Sequence, residues 1–205
     1  LRARVRSEIV EPTEGFWTDV ELNYWLNEAN EIATTKAGIR KLNPDFSTVS
    51  GTAGYALPSD FLNARRVRCG GYDLLPGTLE DWTGESGTPT RYYVMSGESK
   101  VYLDPVPNAV LTVKLWYDIR ATEMTADDKS PSFPARWHHL CYLYCTGQAK
   151  RKADDPGYVT YLRDWESGVQ EMCAELASQG QAERPRHIID DWDEYPGIRT
   201  VTLDE

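Results

Sequence analysis

The spacing of apolar residues changes twice along this chain, and that double change narrows the folds open to it. Leu22, Trp25, Leu26, Ala29, Ile32 and Ala33 recur at intervals of three and four, which lays one apolar stripe along a helix. After Gly51 the interval falls to two. Leu111, Val113, Leu115 and Tyr117 alternate with Thr112, Lys114, Trp116 and Asp118, as in a strand buried on one face. Beyond Pro134 the helical interval returns, first in Trp137, Leu140, Cys141, Tyr144 and Gln148. It continues in Tyr158, Tyr161, Leu162, Trp165, Val169, Met172, Cys173 and Leu176. The order helix, strand, helix predicts an α+β chain: helices from both ends share an antiparallel bundle, with an antiparallel β module inserted between them.

Local signals set the boundaries. Thr18 and Glu21 have capping-box spacing, with Trp17 and Leu22 placed as a hydrophobic staple around them. Leu1 to Ile9 forms a shorter helix that ends at Glu11-Pro12. Gly70-Gly71 separates "ARRVRC" from "YDLLP", and "SGES" separates "TRYYVM" from "KVYLDP", which predicts two hairpins. Asp155-Pro156-Gly157 breaks the later helical pattern into two helices. The expected division is therefore 1–50 and 129–180 for the bundle, 51–128 for the β module, and 181–205 for an extended C-terminal arm. That last stretch has no helical stripe, yet keeps Ile188, Ile189, Trp192, Tyr195, Ile198, Val201 and Leu203. A solvated tail lacks such residues. The arm is expected to order against the rest of the chain or against a neighbour.

Hydrophobic residues make up 40% of the sequence and aromatic ones 11%, enough for a packed core and against wholesale disorder. The net charge of −10 opposes tight non-specific DNA binding, which needs clustered cations to displace counterions from phosphates. No apolar run reaches the length of a membrane span, and "LRARVRSEIV" has no signal-peptide-like apolar stretch. Cys69, Cys141, Cys145 and Cys173 lack the density of a secreted disulfide scaffold, so a protein made in a reducing cytosol is expected.

Few groupings suggest chemistry. His138, Cys141 and Cys145 fall on one helix face, with Cys173 on the next helix. No C-x-x-C pair is present, and three ligands on one continuous helix surround zinc poorly; the expected role of these cysteines is as small buried hydrophobes, with no metal and no cofactor. The acid pairs Asp127-Asp128, Asp154-Asp155 and Asp190-Asp191 sit in loops or in the arm, where solvation leaves carboxylates ordinary. No nucleophile-elbow, zincin or phosphate-loop pattern occurs, and a non-enzyme is expected. Two basic clusters remain, Arg2, Arg4 and Arg6, and Arg65, Arg66 and Arg68. Arg66 and Arg68 share a strand face that Arg65 opposes. Either cluster could touch DNA phosphates or the acidic surface of a neighbouring subunit.

Taken in order, "EPTEGFWTDVELNYWLNEAN", "YALPSDFLNARRVRCGG", "GTPTRYYVMSG", "VYLDPVPNAVLTVKLWYDIRA" and "PSFPARWHHLCYLY" resemble the head–tail connector, or portal adaptor, proteins of tailed bacteriophages. The resemblance runs from Leu1 to about Ala177. It implies a structural virion protein at the head–tail junction, assembled in the bacterial host cytoplasm as a homo-oligomeric ring of about twelve copies. The implied partners are the portal protein above and tail or nozzle proteins below, with no membrane. DNA would pass through the channel without sequence-specific binding, during genome retention and ejection. In such adaptors the C-terminal arm often inserts into the portal; here that is 184–205. The alternatives are another tail-completion or fibre-docking component with a carbohydrate-binding β module around Trp82 and Trp116, and a cell-wall hydrolase.

Overall fold

A computed structural model describes residues 1–95, 97–125 and 129–182. The elements follow the order α1 (Arg2–Glu8), α2 (Asp19–Ala37), β1 (Arg40–Leu42), β2 (Phe46–Ser47), β3 (Gly54–Ala56), β4 (Phe61–Cys69), β5 (Tyr72–Asp73) and β6 (Leu75–Pro76). Then come β7 (Ser86–Gly87), β8 (Arg91–Met95), β9 (Lys100–Asp104), β10 (Val106–Pro107), β11 (Thr112–Ile119), α3 (His139–Lys152) and α4 (Tyr158–Ala182). The described chain is mixed α+β, with four helices and largely antiparallel sheets.

The start of α2 is built as its sequence dictates. The Thr18 hydroxyl accepts from the Glu21 amide at 3.2 Å, and the Glu21 carboxylate accepts from the Thr18 amide at 3.1 Å. A cap of this kind stabilises a helix by about 1 kcal/mol. At the other end Gly38 adopts φ 57°, ψ 52°, the left-handed conformation that costs glycine least, and turns the chain into β1. Leu22, Leu26, Ala29 and Ala33 of α2 are buried with Val5 of α1, Leu140, Cys141 and Cys145 of α3, and Trp165, Val169 and Met172 of α4. All four helices thus share one apolar core. Trp25 packs on its margin, as its place in the stripe requires. The crossing of α3 and α4 is close: a Cβ on Gly147 would lie 2.7 Å from Leu162 Cδ2, and one on Gly168 2.5 Å from Leu140 Cδ2.

A second core fills the β region, with Val67, Cys69, Tyr92, Val101, Leu103, Val113, Leu115 and Tyr117 buried together. One sheet has the order β1-β11-β4-β5, with β2 also pairing β11; the other has the order β3-β9-β8-β6. Both expected hairpins form, β4 with β5 and β8 with β9, each antiparallel. Gly70 and Gly71, at φ 59° and 92°, supply the two positive φ angles that a tight hairpin turn needs. The pairings of β6 with β8 and of β10 with β7 are parallel, two residues long each. They depart from the all-antiparallel expectation. β1 and β2, both antiparallel to β11, lie before Gly51 and so outside the stretch in which strands were expected.

Asparagines of α2 tie the two regions together. Asn27 donates to the Met124 carbonyl at 3.3 Å and accepts from the Met124 amide at 2.7 Å. The buried Asn30 donates to the Thr122 carbonyl at 2.9 Å and accepts from the Ser132 amide at 2.8 Å. An amide side chain can satisfy both backbone polarities at once, so this pair holds the chain where it returns from β11 towards α3.

Ion pairs stitch the helical region from outside. Asp19 is held below its ordinary value of 3.8 by its hydrogen bond from Arg6, and Glu21 below 4.5 by its bond from Lys152. Asp155 is lowered by Lys150 in the same way. Carboxylates lowered in the folded state stabilise it above their unfolded values, and that contribution is lost as pH falls through the folded ones. The urea midpoint is therefore expected to fall as pH drops from about 5 towards 3. A midpoint constant over that window would show that these pairs contribute nothing.

Candidate functional site

The two arginine clusters occupy different settings. Arg6 is 7% exposed and spends its donors inside the chain. Its Nε donates to Asp19 Oδ1 at 3.0 Å, one terminal nitrogen to the Thr13 carbonyl at 3.0 Å, and the other to the Trp17 carbonyl at 3.2 Å. Arg2 forms an ion pair with Asp19 at 3.3 Å, and the Arg4 guanidinium lies 4.3 Å from the centre of the Tyr142 ring. On the sheet, Arg66 grips Asp73 with two parallel bonds of 2.8 and 2.6 Å, and Arg68 approaches the same carboxylate at 3.3 Å. Their shared face is as the strand period predicts. The β4–β11 register slips between Trp116 and Tyr117, whose partners are Arg66 and Ala64. Arg65 is the extra residue of this bulge, and its Nε donates to the buried Asp118 at 2.6 Å. These five arginines other than Arg6 keep part of their surface in solvent.

The cysteines lie where an inert role places them. Cys141 and Cys145 are fully buried; burial pushes the Cys141 thiol up to about 12 and raises Cys145 as well. A thiol so raised stays protonated at neutral pH and is a poor nucleophile there. Among the described residues no cluster of His, Cys, Asp and Glu could hold a metal ion. Of the acid pairs, Asp154 and Asp155 are at the surface, and Asp155 is lowered where a general acid would need raising. Asp127-Asp128 and Asp190-Asp191 lie outside the described residues. Trp82 makes edge contacts to Tyr93 and Tyr102, and Trp116 is covered by the Arg66 guanidinium at 5.3 Å.

Two apolar surfaces were not anticipated. Val20 and Tyr24 are exposed on the outer side of the first turns of α2, Val20 at 77%, and Phe16 is exposed in the loop just before it. The four-residue interval between Val20 and Tyr24 was the available signal, hidden because the stronger stripe lies opposite. At the end of the main sheet farthest from the helices, Val49, Tyr72 and Val110 are also exposed. Surface apolar groups gathered in this way mark contact surfaces more often than isolated ones do. The seven apolar residues of the arm, from Ile188 to Leu203, lie outside the described residues.

No described helix is long and apolar enough to cross a membrane. No curated protein matches the chain. A family model described as SU10 adaptor protein matches residues 1–189, spanning both helical regions, the sheets and the first residues beyond Ala182. Phage structural adaptors of this kind are virion components that join other virion proteins, and it is to this group, the SU10 adaptor protein family, that the chain belongs.

Proposed function

We propose that this adaptor forms a ring of about twelve copies between the portal vertex and the tail, and that it continues the DNA channel for genome retention and ejection. The observation that carries the proposal is the family match over residues 1–189. In this reading 1–50 and 129–180 form the antiparallel bundle of the ring body, 51–128 the inserted β module, and 181–205 an arm that docks on the portal. Ile188, Ile189, Trp192, Tyr195, Ile198, Val201 and Leu203 are its apolar contacts. Three physical features support the reading. Exposed Phe16, Val20 and Tyr24 supply a surface for a neighbouring subunit. Arg2, Arg4, Arg65, Arg66 and Arg68 keep solvent-facing surface that a neighbour's carboxylates or passing phosphates can use, whereas Arg6 holds the subunit itself together. The net charge of −10 keeps the DNA backbone from sticking to the channel wall.

Deleting residues 184–205 tests the arm. Both apolar cores lie within the described residues, so the truncated chain is expected to keep its helical circular dichroism. Its binding to portal rings is expected to fall roughly 100-fold, as when one module of a multivalent contact is lost. Undiminished binding by the folded truncation would contradict this role for the arm.

A further inference from the structure

The end of α4, the end of α2 and the start of β1 enclose a groove of about 500 Å³. That volume lies within the range of about 300–1,000 Å³ typical of small ligand pockets, with room for a few side chains but not for a folded domain. Ile39, Cys173 and Leu176 give it an apolar floor, and Lys36, Arg40 and Arg65 its charge. Among the described residues no carboxylate lines it, although the chain as a whole carries an acidic excess of −10.

The three cations have capacity to spare. Lys36 and Arg40 are exposed and form no ion pair among the described residues. Arg65 is 52% exposed on its side chain, and it gives Asp118 its Nε alone. Its two terminal nitrogens have no hydrogen-bond partner among the described residues, and one of them lies 3.6 Å from where a Cβ on Gly38 would stand. A guanidinium presented in this way suits a carboxylate.

We infer that this groove is the seat, in the free subunit, for the chain's own segment 188–195, "IIDDWDEY". Two facts select that occupant. The segment alternates apolar Ile188, Ile189, Trp192 and Tyr195 with acidic Asp190, Asp191, Asp193 and Glu194, matching an apolar floor with a cationic rim. It also follows directly on the groove's own wall: Gln179 of α4 lines the groove, and Ala182 is the last described residue of that helix. From Ala182 to Ile188 an extended chain reaches about 20 Å, and a tether this short holds the segment near its site at millimolar effective concentration. The seat covers the arm's apolar residues until a larger partner surface displaces them. This inference does not rest on the portal reading, because the groove and the segment belong to one chain.

The test uses full-length protein with Trp192 replaced by the photo-cross-linker p-benzoylphenylalanine, irradiated as an equal mixture of isotopically light and heavy chains. Cross-links are expected from position 192 to the segment around Ile39 or Leu176, within chains of one isotope. Combining Lys36→Glu with Arg40→Glu should lower their yield roughly five-fold, and adding Asp190→Lys and Asp191→Lys should restore it. Cross-links elsewhere on the chain, or a yield indifferent to the charge changes, would overturn the inference. Light–heavy pairs would overturn it too, because the groove would then take the arm of a second copy. Portal binding measured separately on the same proteins keeps the two proposals apart.

Discussion

Arg6→Ala is expected to cost about 3 kcal/mol of folding stability, read as a lower urea midpoint by tryptophan fluorescence. The arginine is buried and bridges the carbonyls of Thr13 and Trp17, that of Glu11 at 3.3 Å, and the Asp19 carboxylate, which Arg2 also approaches. Together these fix the loop between α1 and α2 in the conformation that presents Thr18 as a cap. Alanine leaves the buried carbonyl acceptors without this donor and deprives the half-exposed Asp19 of its main partner, and losing the buried member of such a network costs more than the network contributes net. Arg6→Lys should recover little of the loss, because an ammonium is a compact point charge and cannot span acceptors that a planar fork reaches together. A lysine variant as stable as the parent would mean that charge alone matters at this site.

Leu22→Ala is expected to cost a further, independent amount of about 3 kcal/mol, lowering Tm by roughly 6–12 °C for a chain of this size. Leu22 is fully buried where α2 meets α3, and the Cys145 thiol donates to its backbone carbonyl at 3.5 Å. A void there removes the transfer energy of the side chain and leaves its neighbours without partners. Val20, two residues earlier on the same helix, provides the contrast. Val20→Ala should change stability by less than about 0.5 kcal/mol, since 77% of its surface is exposed. If the outer face of α2 meets a neighbouring subunit, the same substitution should weaken ring formation while leaving the monomer's melting unchanged. Equal losses of stability at the two positions would contradict the assignment of one face to the core and the other to the surface.

The features legible in the sequence are those whose causes are local. The Thr18–Glu21 cap, the Gly70-Gly71 turn and the helical stripes depend on residues within a few positions, and each appears where its spacing placed it. The features that escaped depend on distant partners. Arg40–Leu42 is exposed at every position and is a strand because β11 offers it an edge; nothing in "RKL" alternates. Arg6 reads as one of three surface cations until the loop after α1 folds back over it. Asn27 and Asn30 sit on what the sequence presents as the polar side of α2, yet they hold a segment roughly a hundred residues away by the ordinary hydrogen-bond capacity of an amide. The groove cations Lys36, Arg40 and Arg65 share no sequence pattern, because the end of α2, the start of β1 and the bulge in β4 bring them together.

The most direct test of the adaptor's proposed place in the virion is negative-stain electron microscopy of the full-length protein mixed with portal rings of the same phage. The account predicts a second ring of density at one end of the portal, with matching rotational symmetry and a continuous central channel. Portals that remain bare at high protein concentration would contradict it.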